Sequence, residues 1–192
     1  MLKLRLALHG GLLSGKSTLA TALEERGFAY INYTRLLKQY AVGALEACGI
    51  TTSLMMIEAD KEKYRRFLIE LGDQLGFDHG FGIDETLAPI IKNEDRLVFD
   101  NVRFPAQMDK LVALGFRMVR IDTPMAVREE RAAARGMSVD YFLQRTDSYS
   151  EVPLPEYPGE IRLSVDGPMD DVLVALAGVL TEAINAERLG SV

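Results

Sequence analysis

The run Gly10-Gly11-Leu12-Leu13-Ser14-Gly15-Lys16-Ser17 fits the spacing G-x-x-x-x-G-K-[ST], and Thr18 follows it. Glycines reach backbone angles closed to other residues, so successive N–H groups can converge on an anion. A helix starting near Ser17 would add its positive end to that cradle. Lys16 is expected to reach the β- and γ-phosphates and the Ser17 hydroxyl to ligate Mg²⁺, which predicts a site for ATP with Mg²⁺ as cofactors. Asp100 ends the apolar run Leu97-Val98-Phe99 and is the second candidate ligand for Mg²⁺ or its water shell.

Arginine is the other chemistry-bearing residue type. The chain has 15 Arg against 7 Lys, and Arg suits two-pronged contacts with phosphate or carboxylate. Arg103 is expected at the carboxyl end of a strand, where ligands bind in open α/β sheets. Lys61 and Arg65 share one helical face and Lys63 and Arg66 another, so one pair would bind an acceptor and the other would be solvated surface. Arg128, Arg131 and Arg135 follow i, i+3, i+7 spacing, with Arg145 beyond. Three like charges on one face repel, and a polyphosphate is the natural counter-ion.

Phosphate loops of this spacing serve kinases, ATPases and GTPases. The chain has no Asn/Thr-Lys-x-Asp stretch to read guanine, and Asp73-Gln-Leu-Gly76 matches Asp-x-x-Gly at the end of a helix, not after a strand. A small-molecule kinase fits the length best.

The elements that must position these groups read as strands 2–9, 28–32, 97–101, 118–122 and 161–165, with helices 17–25, 34–48, 58–75, 84–92, 105–114, 126–134 and 169–189. Gly72, Gly76, Gly80 and Gly82 mark residues 72–82 as a mobile connection, and residues 146–160, with three prolines, read as a loop. Short apolar strands alternating with helices predict an α/β fold, a parallel sheet flanked by helices on both faces.

The chain has 192 residues, 48% hydrophobic and 26% charged, which predicts one domain, residues 1–192. Its 22 basic and 28 acidic residues give a net charge of −6, which argues against coating nucleic acid or an anionic membrane but leaves room for a basic cleft. Cys48 is the only cysteine, so no intrachain disulfide can form, and a packing role is expected for it. No run reaches the ~18 apolar residues that span a bilayer, and the N-terminus alternates like a strand, so the expected location is the cytoplasm (a host cytoplasm if the chain is viral).

The residues together resemble the phage-type deoxynucleoside monophosphate kinases, a branch of the adenylate kinase-like P-loop kinases. The resemblance runs through the phosphate loop, Ile31-Asn-Tyr-Thr-Arg-Leu-Leu-Lys38 and Lys61-Glu-Lys-Tyr-Arg-Arg-Phe-Leu-Ile-Glu-Leu-Gly-Asp73. It continues in Asn101-Val-Arg-Phe-Pro105, the arginine helix and Asp147-Ser-Tyr-Ser-Glu151. It implies a P-loop NTPase fold with a helical acceptor-binding region at about 33–92 and a short lid at about 128–150. By the same resemblance Lys38, Tyr64, Arg65 and Arg103 face the acceptor, with Ser150 and Glu151 on that side. Arg131 and Arg135 sit at the lid, and Gly167 and Pro168 edge the adenine pocket.

Asn101 stands where the family often has Asp, Gln107 where it has Glu, and Arg35 replaces a common acid. His79 reads as an exposed loop residue.

The implied reaction moves the γ-phosphoryl of Mg·ATP to a (deoxy)nucleoside monophosphate, by positioning and charge neutralisation through Lys16, Arg103, Arg131 and Arg135. A hydroxyl acceptor remains open, either 5-hydroxymethyluracil in phage DNA or dephospho-coenzyme A, with Asp100 as base. A nucleotide-binding regulatory ATPase is a third reading. A nucleotide substrate is the expected partner, modified DNA is an alternative one, and a homodimer is possible.

Overall fold

The structure, a computed structural model, describes residues 3–148, 151 and 153–190. Its strands are β1 (Leu4–His9), β2 (Ala29–Asn32), β3 (Arg96–Val102), β4 (Arg117–Ile121) and β5 (Ile161–Leu163). They form one parallel sheet in the order β2-β3-β1-β4-β5.

Side chains alternate across the sheet, so each face receives every second residue. Leu6, Leu8, Val98 and Val119 pack with α1 (Lys16–Glu24) and α9 (Met169–Gly190). Ala7, Leu97, Phe99 and Met118 pack on the other side with α5 (Ile83–Asn93) and α6 (Pro105–Ala113). Both faces are buried, which is why these strands read as continuous apolar runs. The remaining helices are α2 (Tyr33–Ala47), α3 (Leu54–Ala59), α4 (Lys61–Leu75), α7 (Met125–Ala134) and α8 (Val139–Thr146). Among the described residues no helix is long and apolar enough to cross a membrane.

The β1–β3 register slips at the site end. Ala7 pairs with Phe99 but His9 with Val102, so β3 carries one extra residue, and Asn101 takes a positive φ of 71° there. Bulges of this kind re-aim side chains beside active sites.

Four expectations are corrected. The helix expected over 58–75 is two helices, because Asp60 leaves the helical conformation and its side chain accepts from Lys63 N to cap α4. Residues 72–82 are fastened, not loose. Gly76 ends α4 with φ 71°, and Phe77–His79 form a 3-10 turn. The buried Phe77 stacks on Tyr33 at 4.8 Å, and Gln107 Nε2 donates to the Phe77 carbonyl at 2.6 Å. Helix α8 was not anticipated, although Ser138 is its N-cap and accepts from Tyr141 N at 3.2 Å. Cys48 is exposed just past α2, with no packing role.

Candidate active site

Residues 10–15 link β1 to α1, and only glycine fits at two of these positions. Gly10 has φ +145°, and a Cβ there would lie 2.5 Å from the Ile121 carbonyl oxygen. Gly15 caps α1 with φ +101°, and its Cβ would meet Val165 Cγ1 at 2.7 Å. Lys16 Nζ folds back on the loop, donating to the carbonyls of Gly10 at 2.7 Å and Gly11 at 2.8 Å. Burial pushes its pKa down to about 8, with Arg103 and Arg128 adding to the effect and Glu151 and Asp100 opposing it. An anion beside Lys16 would raise that pKa again.

The loop is gripped from outside. Thr123 Oγ1 donates to the Ser14 carbonyl at 2.7 Å, and Arg128 Nε donates to that of Leu12 at 2.6 Å. The Arg128 guanidinium lies over Gly11, where a Cβ would come within 2.6 Å of it, and 5.8 Å from the Phe142 ring centroid. Arg131 donates to the carbonyls of Leu13, at 3.0 Å, and Val165. The arginine row is therefore not one phosphate-facing stripe. Arg128 is spent on the loop backbone, while Arg131 and the exposed Arg135 line the cleft. Backbone carbonyls take the hydrogen bonds of Arg128 and, in part, of Arg131 that the spacing had assigned to a polyphosphate.

Ser17 and Asp100 meet as expected, with Ser17 Oγ donating to Asp100 Oδ2 at 2.7 Å. Asp100 is fully buried. Its Oδ2 also accepts from Tyr30 Oη at 3.1 Å, and its Oδ1 from Asn101 N at 2.7 Å. Tyr30 was missed by sequence reasoning because an aromatic residue in a strand reads as core. Burial, then the Asp100 charge, raises its pKa. The hydroxyl and carboxylate oxygens of Ser17 and Asp100 are a hard-oxygen pair suited to Mg²⁺.

The loop opens into a cleft of about 770 Å³. Residues 12–18, Arg131, Arg135 and Gly167 line it at the phosphate-loop end, and Gly10, Gly11 and Pro168 do not line it. Lys38, Arg65 and Arg103 line the far end. The Lys38 ammonium is buried and donates to Glu58 Oε1 at 3.1 Å, which holds the Glu58 carboxyl below its ordinary pKa. Arg103 pairs with the buried carboxylate of Glu151, while its backbone N–H donates to Gln107 Oε1 at 2.8 Å. Glu151 thus reaches the acceptor end through Arg103, and Ser150 lies outside the described residues.

Of the two cation pairs on α4, Lys61 and Arg65 face the cleft; Lys63 and Arg66 are solvated, with Arg66 paired to Glu70. Tyr64 departs from its expected place. It does not line the cleft, and its hydroxyl lies 3.5 Å from Thr52 Oγ1. His79 is exposed, as expected.

No protein-family model matches the chain, and no curated protein matches it in sequence. Solved structures do match along nearly its whole length. A gluconokinase from Sinorhizobium meliloti 1021 has 17% identity and a TM-score of 0.56, covering 97% of both chains. TT1252 from Thermus thermophilus has 22% identity and a TM-score of 0.58, covering 95% of this chain and 98% of its own. A shikimate kinase from Bacteroides thetaiotaomicron has 14% identity and a TM-score of 0.52, covering 93% and 98%. At these identities the likeness is one of architecture: the chain has the parallel-sheet fold of the P-loop kinases.

Proposed function

We propose that the protein is a phosphotransferase that moves the γ-phosphoryl of Mg·ATP to the phosphate of a (deoxy)nucleoside monophosphate. One observation carries this reading. The far end of the cleft gathers Lys38, Lys61, Arg65, Arg103 and Arg145, five cations against Asp73 and Asp78 in the same lining, in a chain of net charge −6. That concentration of charge suits an acceptor bearing a phosphate of its own. The donor end supports ATP, with the phosphate loop for the polyphosphate and Gly167 beside the adenine.

The Ser17 hydroxyl and Asp100 carboxylate would hold Mg²⁺. The ion would supply neutralisation of phosphate charge. Lys16, released from the loop carbonyls, would bind the β- and γ-phosphates. Arg131 and Arg135 would face the transferring group from the donor side and Arg103 from the acceptor side. The acceptor phosphate is ionised at neutral pH and needs no general base, so positioning and charge neutralisation suffice. Movement of the α7–α8 arm over the cleft would exclude water.

A hydroxyl acceptor is the second reading, favoured by the fold shared with a gluconokinase and a shikimate kinase. It would need a base, and Asp100 is poorly placed for that. Its oxygens already accept from Ser17, Tyr30 and the Asn101 amide.

The test incubates the protein with Mg·ATP and, separately, each deoxynucleoside monophosphate, dephospho-coenzyme A, hydroxymethyluracil-containing DNA, gluconate and shikimate. A nucleoside diphosphate product is expected. Phosphorylation only of a hydroxyl acceptor overturns the reading, and ADP release without any acceptor points to a regulatory ATPase.

A further inference from the structure

Tyr30 lies within β2, and its ring and its hydroxyl serve different neighbours. The ring packs against the core cluster that contains Leu19 and Leu23 of α1. The hydroxyl leaves that core and donates to Asp100 Oδ2 at 3.1 Å. Tyr30 does not line the cleft, whereas Ser17 and Asn32 do. Its hydroxyl therefore acts on a ligand only through Asp100.

The hydroxyl is fixed from its other side as well. Asn32 is the N-cap of α2, and its Oδ1 accepts from Arg35 N at 3.2 Å. That contact turns Asn32 Nδ2 toward Tyr30 Oη, 3.4 Å away. Because an amide N–H meets the hydroxyl oxygen there, the phenolic proton is left for Asp100. Burial and the Asp100 charge both oppose its loss.

Asp100 is fully buried, and a buried carboxylate is costly unless donors surround it. Asn101 N holds Oδ1 at 2.7 Å, and Ser17 Oγ and Tyr30 Oη share Oδ2. Of the two donors on Oδ2, a ligand in the cleft meets Ser17 and not Tyr30.

We infer that Tyr30 is a positioning residue for the Mg²⁺ site, a role that rests on the reading of Ser17 and Asp100 as the groups that hold the ion. Its hydroxyl locks the Asp100 carboxylate, and through it the Ser17 hydroxyl, in one orientation. Partners of metal-holding groups fix those groups in this way. The line Asn32–Tyr30–Asp100–Ser17 also ties the start of α2, at the acceptor end, to the start of α1, at the donor end.

The test reads metal affinity, not turnover. Mn²⁺, which also takes oxygen ligands, is titrated into the protein with a non-hydrolysable ATP analogue, and the bound ion is counted by electron paramagnetic resonance. Tyr30→Phe keeps the ring and removes only the hydroxyl, and it is expected to weaken Mn²⁺ binding about tenfold. Its affinity for the analogue in EDTA should match that of the unsubstituted protein, which also shows that the variant is folded. Asp100→Asn is expected to weaken Mn²⁺ binding by at least as much. Adding Tyr30→Phe to Asp100→Asn should then cost less than about twofold more, because Tyr30 acts through that carboxylate.

Unchanged Mn²⁺ affinity in Tyr30→Phe, or losses that multiply in the double variant, overturns the inference and leaves the metal reading standing. A tenfold loss of analogue affinity in EDTA marks a packing role and overturns it too. Unchanged Mn²⁺ affinity in Asp100→Asn removes the metal reading itself, and the inference with it.

Discussion

At the donor end of the cleft, seven consecutive residues, 12–18, make the wall, and their backbone is pinned by Thr123, Arg128 and Arg131. At the acceptor end the wall comes from α2, α4, α8 and the turn after β3, and long side chains hold one another in ion pairs. The first is a backbone cradle fixed before any ligand arrives. The second is a set of long cationic side chains paired with carboxylates, the exposed Glu58 and Glu62 and the buried Glu151. A polyphosphate is common to every ATP-using enzyme and suits a rigid site. On the proposed reading the acceptor has to be selected, and the side chains at its end would exchange their carboxylate partners for it.

Substitutions at the two ends should break that contrast if it is wrong. Lys16→Ala is expected to have the largest effect, a loss of phosphoryl transfer of about a thousandfold or more, with an unchanged circular dichroism spectrum. Retained turnover would remove Lys16 from its role. Asp100→Asn keeps the shape and loses the charge, and turnover should fall by about a hundredfold, with a raised Mg²⁺ requirement measured by titration. Arg103→Ala should reduce kcat/KM for the acceptor by a factor of about ten to a hundred. Its affinity for ATP should stay close to that of the unsubstituted protein. Equal loss at both ends would mean that the cleft does not divide as described.

The pKa of Lys16 adds a pH dependence confined to the donor end. A polyphosphate binds the charged ammonium, so affinity for ATP is insensitive to this group below its pKa of about 8. Above that pKa each pH unit should weaken ATP binding by up to about tenfold, until the pKa of the complex is reached. Calorimetry in buffers of different ionisation enthalpy should record proton uptake on binding at about pH 9 and almost none at about pH 6. The smallest effect is expected from Tyr64→Phe. Its hydroxyl has only a long contact with Thr52, so acceptor KM should change less than about twofold.

The donor end was legible because its chemistry is written in consecutive residues, where sequence spacing sets spatial spacing. Asp100 was legible as the polar end of an apolar strand. Tyr30 was not, since nothing in a strand distinguishes a hydroxyl that reaches a carboxylate from one at the surface. The same limit hid the split of the arginine row. Residues three apart share a face, but the approach of the phosphate loop decides that Arg128 meets Leu12 O while Arg135 stays exposed.

The apolar face at Tyr64, Phe67, Leu68 and Leu71 says nothing of where its helix starts, and Asp60, inside the helix expected over 58–75, caps a new helix instead of continuing the old one. Glycine content suggested a loose segment at 72–82, although Gln107, distant in sequence, holds the Phe77 carbonyl. The acceptor end depends on pairs such as Lys38–Glu58 and Arg145–Glu62, which only tertiary placement creates.

On the proposed reading, one cleft holds two anionic substrates with their phosphates facing each other. The most direct measurement is the affinity of an inhibitor in which adenosine and a second nucleoside are joined 5′-to-5′ through five phosphates. Binding tighter than ATP by about a hundredfold or more is expected, because the second contact becomes intramolecular, and Arg103→Ala should remove most of that gain. Binding no tighter than ATP would contradict the account.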